Sequence, residues 1–303
     1  MKISLVGLSG CGKTSIYATT FASKKPEETK EFAPTVMYEI RNHPYLGVNV
    51  SFFDFGGQED YRSSYFEKPD VFKETNVLIP IIDLHDPEKM SEAEIYFKKI
   101  VDTLKNLSLS PEVIIFYHKY DSEGYQKELL EANLKKAKSV FPKIFAGFKC
   151  KESITSIYEQ EKLSIIFRDI LLANYADIEQ HVENAEKQLS EISAKIIVSD
   201  ISGNVIVHNV PGISTGLQLR ADLRDFISSC NTIRENFFNT DSVKFVGSTK
   251  EADKEIDIYI FKYILSVLIM GANLEDKKTA EQLEILLKDL ELFADLVVKA
   301  HEE

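Results

Sequence analysis

The sequence predicts an α/β unit with a mostly parallel sheet, followed by a smaller α+β unit with an antiparallel sheet. Three observations predict it. A glycine-rich turn, GLSGCGKT at 7–14, stands between a strand-like and a helix-like segment. Apolar runs then alternate with polar helical stretches to about residue 160, the pattern of a parallel sheet covered on both faces. Past about residue 190 the pattern changes to β-rich segments separated by turn signals. A chain of 303 residues exceeds what one such domain needs, and the expected limits are 1–175 and 176–303.

In chain order, KISLVG at 2–7 reads as a strand and GKTSIYATTFA as a helix. VNVSFFDFGG reads as a strand leaving sharply through Gly56 and Gly57. NVLIPIID (76–83) and EVIIFYHK (112–119) are strands, with the helix SEAEIYFKKIVDTLKNL (91–107) between them. A helix near 125–140, a strand over KIFAGFKC (143–150) and a helix from about 160 complete the first unit. Over 160–190 the chain reads as one long or broken helix, in which Ile170, Asn174, Ile178, Val182, Ala185 and Leu189 recur at spacings of three and four.

Beyond it, SAKIIVSDISGNVIVHN at 193–209 is a hairpin signal. A helical region near 218–236, the strand SVKFVGS, and IDIYIFKYILSVLIM, read as a buried strand and its continuation, follow. The last helix carries a broad apolar face of Leu283, Leu286, Leu287, Leu290, Phe293, Ala294, Val297 and Val298. A domain of this size hides one apolar surface in its own core, so the helix face and the strand run together predict a surplus surface for a dimer.

Composition narrows the function classes. At 44% hydrophobic and 28% charged the chain can build cores, and a net charge of −12 argues against general binding to nucleic acid or an anionic membrane. Cys11, Cys150 and Cys230 are too scattered for a metal cluster or disulfide framework. The start MKISLVG and the end KAHEE carry no signal-peptide, myristoylation or prenylation pattern. A cytoplasmic protein is expected, reaching membranes only through a protein anchor.

GLSGCGKT is the complete phosphate-loop pattern, Gly7, four residues, Gly12, Lys13 and Thr14. Backbone N–H groups over Ser9, Gly10, Cys11, Gly12 and on to Ser15 can face a pyrophosphate, the helix terminus favours its charge, and Lys13 reaches the β and γ phosphates. Thr14 supplies a hydroxyl to Mg²⁺. In DFGGQ, Asp54 at a strand end is placed to hold the magnesium through water, and the Gly57 N–H to sense a γ phosphate. Gln58 is the candidate catalytic residue, orienting the attacking water. Thr35 in EFAPTVMYE is the candidate for a hydroxyl that joins Mg²⁺ only when a γ phosphate is present.

The stretch YHKYD at 117–121 addresses the base. The Asp121 carboxylate can accept from the N1 and N2 donors of guanine, whereas adenine offers no matching pair on that edge. Lys119 has an aliphatic stem that can lie along the base. His118 stands where a guanine signature ordinarily has Asn, and with the suitable tautomer it can tie base and loop together. GTP/GDP with Mg²⁺ is therefore the expected cofactor set.

GLSGCGKTS, DFGGQ and HKYD together resemble the Rag/Gtr branch of Ras-like small GTPases, and the chain past the first unit is similar to that family's C-terminal roadblock domain. The resemblance covers nearly the whole chain. It implies a Ras-like P-loop G domain, a GTP-dependent switch with slow hydrolysis, a homo- or heterodimer through the roadblock domain, and GTPase-activating and exchange proteins as partners. It further implies relay of nutrient availability, at a lysosomal or vacuolar membrane reached through partners. On the same resemblance TSIY at 155–158 is the base-contacting loop, with Ser156 and Ile157 nearest guanine, and CKES at 150–153 competes for that role.

Two rivals belong to other classes. A nucleotide-locked, non-hydrolysing scaffold would have no need of Gln58. An ATP-using metabolic enzyme is disfavoured by HKYD and by the lack of a lid with paired arginines.

Overall fold

The computed structural model describes residues 1–22, 24–46, 48–121, 125–173, 176–210, 242–248, 255–262, 264–273 and 275–302. The chain divides into two compact units: Met1–His43 with Asn49–Leu163, and Pro44–Val48 with Ser164–Glu303.

The first unit opens with β1 (Lys2–Val6), α1 (Lys13–Thr20), and β2 (Tyr38–Tyr45) and β3 (Val48–Phe55), whose facing ends the division cuts. It continues through α2 (Glu59–Glu67), β4 (Val77–Asp83), α3 (Met90–Asn106), β5 (Glu112–His118), α4 (Lys127–Ile144) and β6 (Cys150–Ile154). The six strands form one sheet in the order β2-β3-β1-β4-β5-β6. β1 lies parallel to both β3 and β4, and β4, β5 and β6 run parallel in turn. Near-continuous apolar strands mark burial on both faces, as in VLIPIID, where every residue but the terminal Asp83 is buried. Pro80 lacks an N–H, and the β4–β5 register passes from Leu78↔Val113 to Ile81↔Phe116 with no pairing between. In α3 the buried residues Ala93, Tyr96, Phe97, Ile100, Val101 and Leu104 recur every three or four positions and meet Phe141 and Phe145 in one core. All four parallel crossovers leave their strands' C-terminal ends on one side, the side where α/β sheets bind ligands.

The second unit contains α5 (Gln160–Leu172, which the division cuts), α6 (Ala176–Glu191), β7 (Lys195–Asp200), β8 (Val205–His208), β9 (Ser242–Ser248), β10 (Glu255–Phe261), β11 (Leu265–Met270) and α7 (Lys277–Glu302). Its five strands follow the order β8-β7-β11-β10-β9 with antiparallel pairing throughout. The expected SDISGN hairpin joins β7 to β8: the Asp200 carboxylate accepts the N–H groups of Ser202 and Asn204, each at 2.9 Å, and Gly203 takes φ +80°. Asp200 also accepts the Leu46 N–H at 3.0 Å, and Asn204 donates to the Pro44 carbonyl at 2.9 Å, which places 44–48 in this unit.

Three expectations are corrected, and two elements carry no clear sign in the sequence. KIFAGFKC is not a strand: α4 continues to Ile144, a turn follows, and the strand begins at Cys150. Phe141 and Phe145 are buried four residues apart, so helical spacing overrides the strand-like composition. IDIYIFKYILSVLIM is two strands rather than one, because Lys262 adopts φ +50° and turns β10 back onto β11. The apolar pattern marks neither β2 nor α2; YEIRNHPY is largely exposed on the sheet edge and so lacks a clear apolar period. The surplus-surface argument also fails. Leu286, Leu290, Phe293 and Val297 are buried within the chain, and β10 and β11 are interior strands of the sheet. The expected helix near 218–236, Cys230 and Asn174 lie outside the described residues.

Candidate functional site

The strand ends and the loops that leave them enclose a cavity of about 590 Å³ in the first unit. Ser9, Gly10, Gly12, Lys13, Thr14 and Ser15 line one end; His85, His118, Lys119, Asp121, Ile157 and Tyr158 line the other. Thr29, Lys30, Phe32, Ala33, Pro34 and Thr35 form a wall, and Gly57 closes the phosphate end. Of the residues singled out by sequence, Cys11, Asp54, Gln58 and Ser156 stand outside this lining. Cys11 and Asp54 are buried beneath the loop, Gln58 is exposed at the entry to α2, and Ser156 is buried behind Asp121.

The phosphate end is built by β1 running into the loop and the loop into α1. Lys13 is buried, and its ammonium donates to the carbonyls of Gly7 at 2.9 Å and Leu8 at 2.8 Å, which holds it across the loop. Gly57 is packed so tightly on the loop that a β-carbon there would stand 2.3 Å from the Ser9 nitrogen. The Ser9 N–H donates to the Gly57 carbonyl at 3.0 Å, so DFGG is joined directly to the phosphate loop.

Three oxygen donors converge beside it. Thr14 Oγ1 donates to Asp54 Oδ2 at 2.6 Å, lies 3.0 Å from Thr35 Oγ1, and Thr35 Oγ1 is 3.4 Å from the same carboxylate oxygen. Asp54 is fully buried and its Oδ1 has no hydrogen-bond partner among the described residues, an arrangement that costs free energy unless a cation or water satisfies it. One carboxylate and two hydroxyls are hard donors that suit Mg²⁺, which takes its remaining ligands from phosphates and water. Among the described residues no group of three or more His, Cys, Asp or Glu side chains is placed to hold a metal ion.

At the opposite end of the cavity, Asp121 Oδ2 accepts the Ser156 hydroxyl at 2.7 Å, which fixes the carboxylate. CKES, the competing segment, lies within β6 from its first residue. Lys119, at φ +62°, donates to Asp83 Oδ2 at 2.6 Å and to the Gly10 carbonyl at 2.8 Å, so it ties the β4 and β5 ends to the phosphate loop. His118 is buried with Nδ1 2.9 Å from Thr155 Oγ1. Burial, then the charge of Lys119, pushes its pKa down to about 3, so the ring is neutral at physiological pH.

Sequence reasoning missed His85, Phe32 and Arg41, and placed Tyr158 only as the last residue of the TSIY loop. His85 stacks on Tyr125 with ring centroids 4.6 Å apart, and its Nε2 lies 3.2 Å from the Asp121 carbonyl oxygen. The signal was available: His85 follows the end of a strand paired with β5, and parallel pairing brings the two exits together. For Arg41, on an exposed edge strand, the sequence held no comparable sign.

Comparison with known proteins agrees with this geometry. Residues 2–210 match the family described as the Gtr1/RagA G protein conserved region. The GTP-binding protein GTR1 of Saccharomyces cerevisiae is 27% identical over 196 residues, 61% of this chain and 61% of the yeast protein. The Ras-related GTP-binding protein A of Dictyostelium discoideum is 22% identical over 308 aligned positions, spanning 96% of this chain and 97% of that one. With the family match covering more than half of its length, over the phosphate loop, DFGGQ and HKYD alike, the chain belongs to the Gtr1/RagA family of G proteins.

Proposed function

We propose that the chain is a guanine-nucleotide switch that binds GTP and GDP with Mg²⁺ and hydrolyses GTP slowly. The observation that carries this reading is one cavity with a phosphate loop at one end and a fixed carboxylate, Asp121 held by Ser156, at the other. Backbone N–H groups from Gly10 to Ser15 and the Lys13 ammonium take the phosphates, the Ser9 N–H being bonded to Gly57. Asp121 reads the two guanine donors, Lys119 covers the base, and Ser156 and Ile157 support that end. Thr14, Thr35 and Asp54 would hold Mg²⁺, which when bound neutralises charge on the β and γ phosphates. Gln58 orients the attacking water from the start of α2, and the Gly57 N–H senses the γ phosphate.

The remaining parts of the reading follow family membership. Residues 1–175 serve as the G domain, and 176–303 as a roadblock-like domain that dimerises with an identical or related chain. GTPase-activating and exchange proteins set the nucleotide state, in nutrient-responsive signalling at the cytoplasmic face of a lysosomal or vacuolar membrane. No described helix is long and apolar enough to cross a membrane; in this reading a partner protein supplies the attachment.

Competition of GTP, GDP and ATP against a fluorescent guanine nucleotide tests the central claim. Displacement by GTP and GDP at far lower concentration than by ATP is expected. Equal displacement by ATP would overturn it.

A further inference from the structure

The buried carboxylate of the Mg²⁺ site already carries a protein cation. Arg41, on β2, places Nη1 2.9 Å from Asp54 Oδ2, the same oxygen that accepts the Thr14 hydroxyl. The guanidinium is held from two further sides. Its carbon lies 5.0 Å over the Tyr17 ring, and its other nitrogen pairs with Glu39. Asp54 is wholly inaccessible, whereas the Glu39 side chain is half exposed. The threonine hydroxyls share the carboxylate without adding charge; Arg41 adds a full positive charge at hydrogen-bond distance from the group that is to attract a divalent cation.

Two cations directed at one carboxylate oppose each other, and in a buried site that opposition is weakly screened. A guanidinium stays protonated under all working conditions, so the opposition cannot be relieved by losing a proton. It can be relieved by drawing Arg41 away, and Glu39 is the group positioned to do so. The same guanidinium compensates the Asp54 charge when no metal is bound, which keeps the site assembled through a metal-free interval.

We propose that Arg41 is a positioning residue that sets the Mg²⁺ requirement of nucleotide retention: it stabilises the metal-free site, weakens Mg²⁺ there, and is itself restrained by Glu39. The proposal rests on the reading of Thr14, Thr35 and Asp54 as the Mg²⁺ site. It predicts a protein whose bound nucleotide loosens at a higher free Mg²⁺ concentration than it would without the arginine.

The test measures release of a fluorescent GDP from the intact protein across buffered free Mg²⁺, and reads the concentration at which release is half-maximally slowed. Arg41→Gln should move that point at least about tenfold lower, since removing one charge beside a divalent cation in a weakly screened site is worth a decade or more. Arg41→Lys, which keeps the charge, should stay near the unmodified value, and Glu39→Gln should move the point higher. An unchanged or higher point in Arg41→Gln overturns the proposal. Should that variant fail to fold or to bind GDP, Glu39→Gln decides alone, since it alters an exposed side chain; an unchanged point there overturns it equally. Release from the unmodified protein that ignores Mg²⁺ altogether would overturn the metal-site reading and this proposal with it. A response in the unmodified protein without the shifts in the variants overturns only the role of Arg41.

Discussion

The imidazole of His118 lies against the α-carbon of Gly12: a β-carbon at position 12 would come within 2.7 Å of the ring's Cδ2 and 2.8 Å of its Nε2. Gly12 also sits at φ +94°, where side chains are strained. The histidine in HKYD is thus a buried support beneath the phosphate loop. Gly12→Ala should lower stability by roughly 1–3 kcal/mol from backbone strain alone, with the ring contact adding to it. Urea unfolding of Gly12→Ala, His118→Ala and the double variant separates the two. The double variant should lose less than the sum of the singles, and strict additivity would show that the ring and the loop are not coupled.

Asp121→Asn should weaken GTP and GDP by roughly 2 to 4 kcal/mol, since a carboxylate facing two donors is replaced by a group that presents a donor of its own. Xanthosine nucleotides, with an acceptor where guanine has its N2 donor, should bind better than GTP to the variant. Titration of both nucleotides against both proteins checks this, and unchanged GTP affinity would remove Asp121 from the base site.

Replacing Gln58 by Leu should leave nucleotide binding nearly intact and suppress hydrolysis, because an exposed side chain outside the cavity lining holds no ground-state contact there. Single-turnover hydrolysis with a stimulating protein gives the comparison. A variant as active as the parent excludes a catalytic Gln58, and a parent with no turnover under stimulation favours the scaffold reading.

Burial pushes the Asp200 pKa up to about 6, against hydrogen bonds from Asn204, Leu46 and Ser202 that favour the carboxylate. A raised carboxyl pKa means the folded form keeps a proton that the unfolded chain has already lost. This group's contribution is therefore full below about pH 4 and is lost as pH rises through about 6, by about 3 kcal/mol at most. Asp200→Asn cannot titrate, so its stability relative to the parent should climb between pH 4 and 7. Urea midpoints at four pH values measure the climb, and a difference independent of pH contradicts it.

With the inner face of α7 buried, a dimer through the second unit must use other surface. Ile285 and Leu292, seven residues apart on α7 and both more than half exposed, share one outer side. Glu at both positions should convert a dimer to a monomer in sedimentation at micromolar concentration while GDP binding persists. Retention of the dimer would move the interface elsewhere.

Local pattern decided a large part of this protein. The phosphate-loop pattern needs Gly, Lys and Thr at fixed spacing because backbone donors and an ammonium must meet one pyrophosphate and a hydroxyl the Mg²⁺ beside it, and no distant contact alters that requirement. The same holds for the paired apolar strands of the α/β unit and for the Asp200–Asn204 turn, whose hydrogen bonds close within five residues. Tertiary structure alone decided what depends on neighbours far apart in sequence. Whether KIFAGFKC ended a helix or began a strand was settled by Phe141 and Phe145 reaching the α3 core. Whether the last helix offered or hid its apolar face depended on the sheet and helix that cover it. Arg41 could be recognised only after the edge strand laid it on Asp54, thirteen residues on and in the neighbouring strand, because a charge acquires its role from the charge it faces.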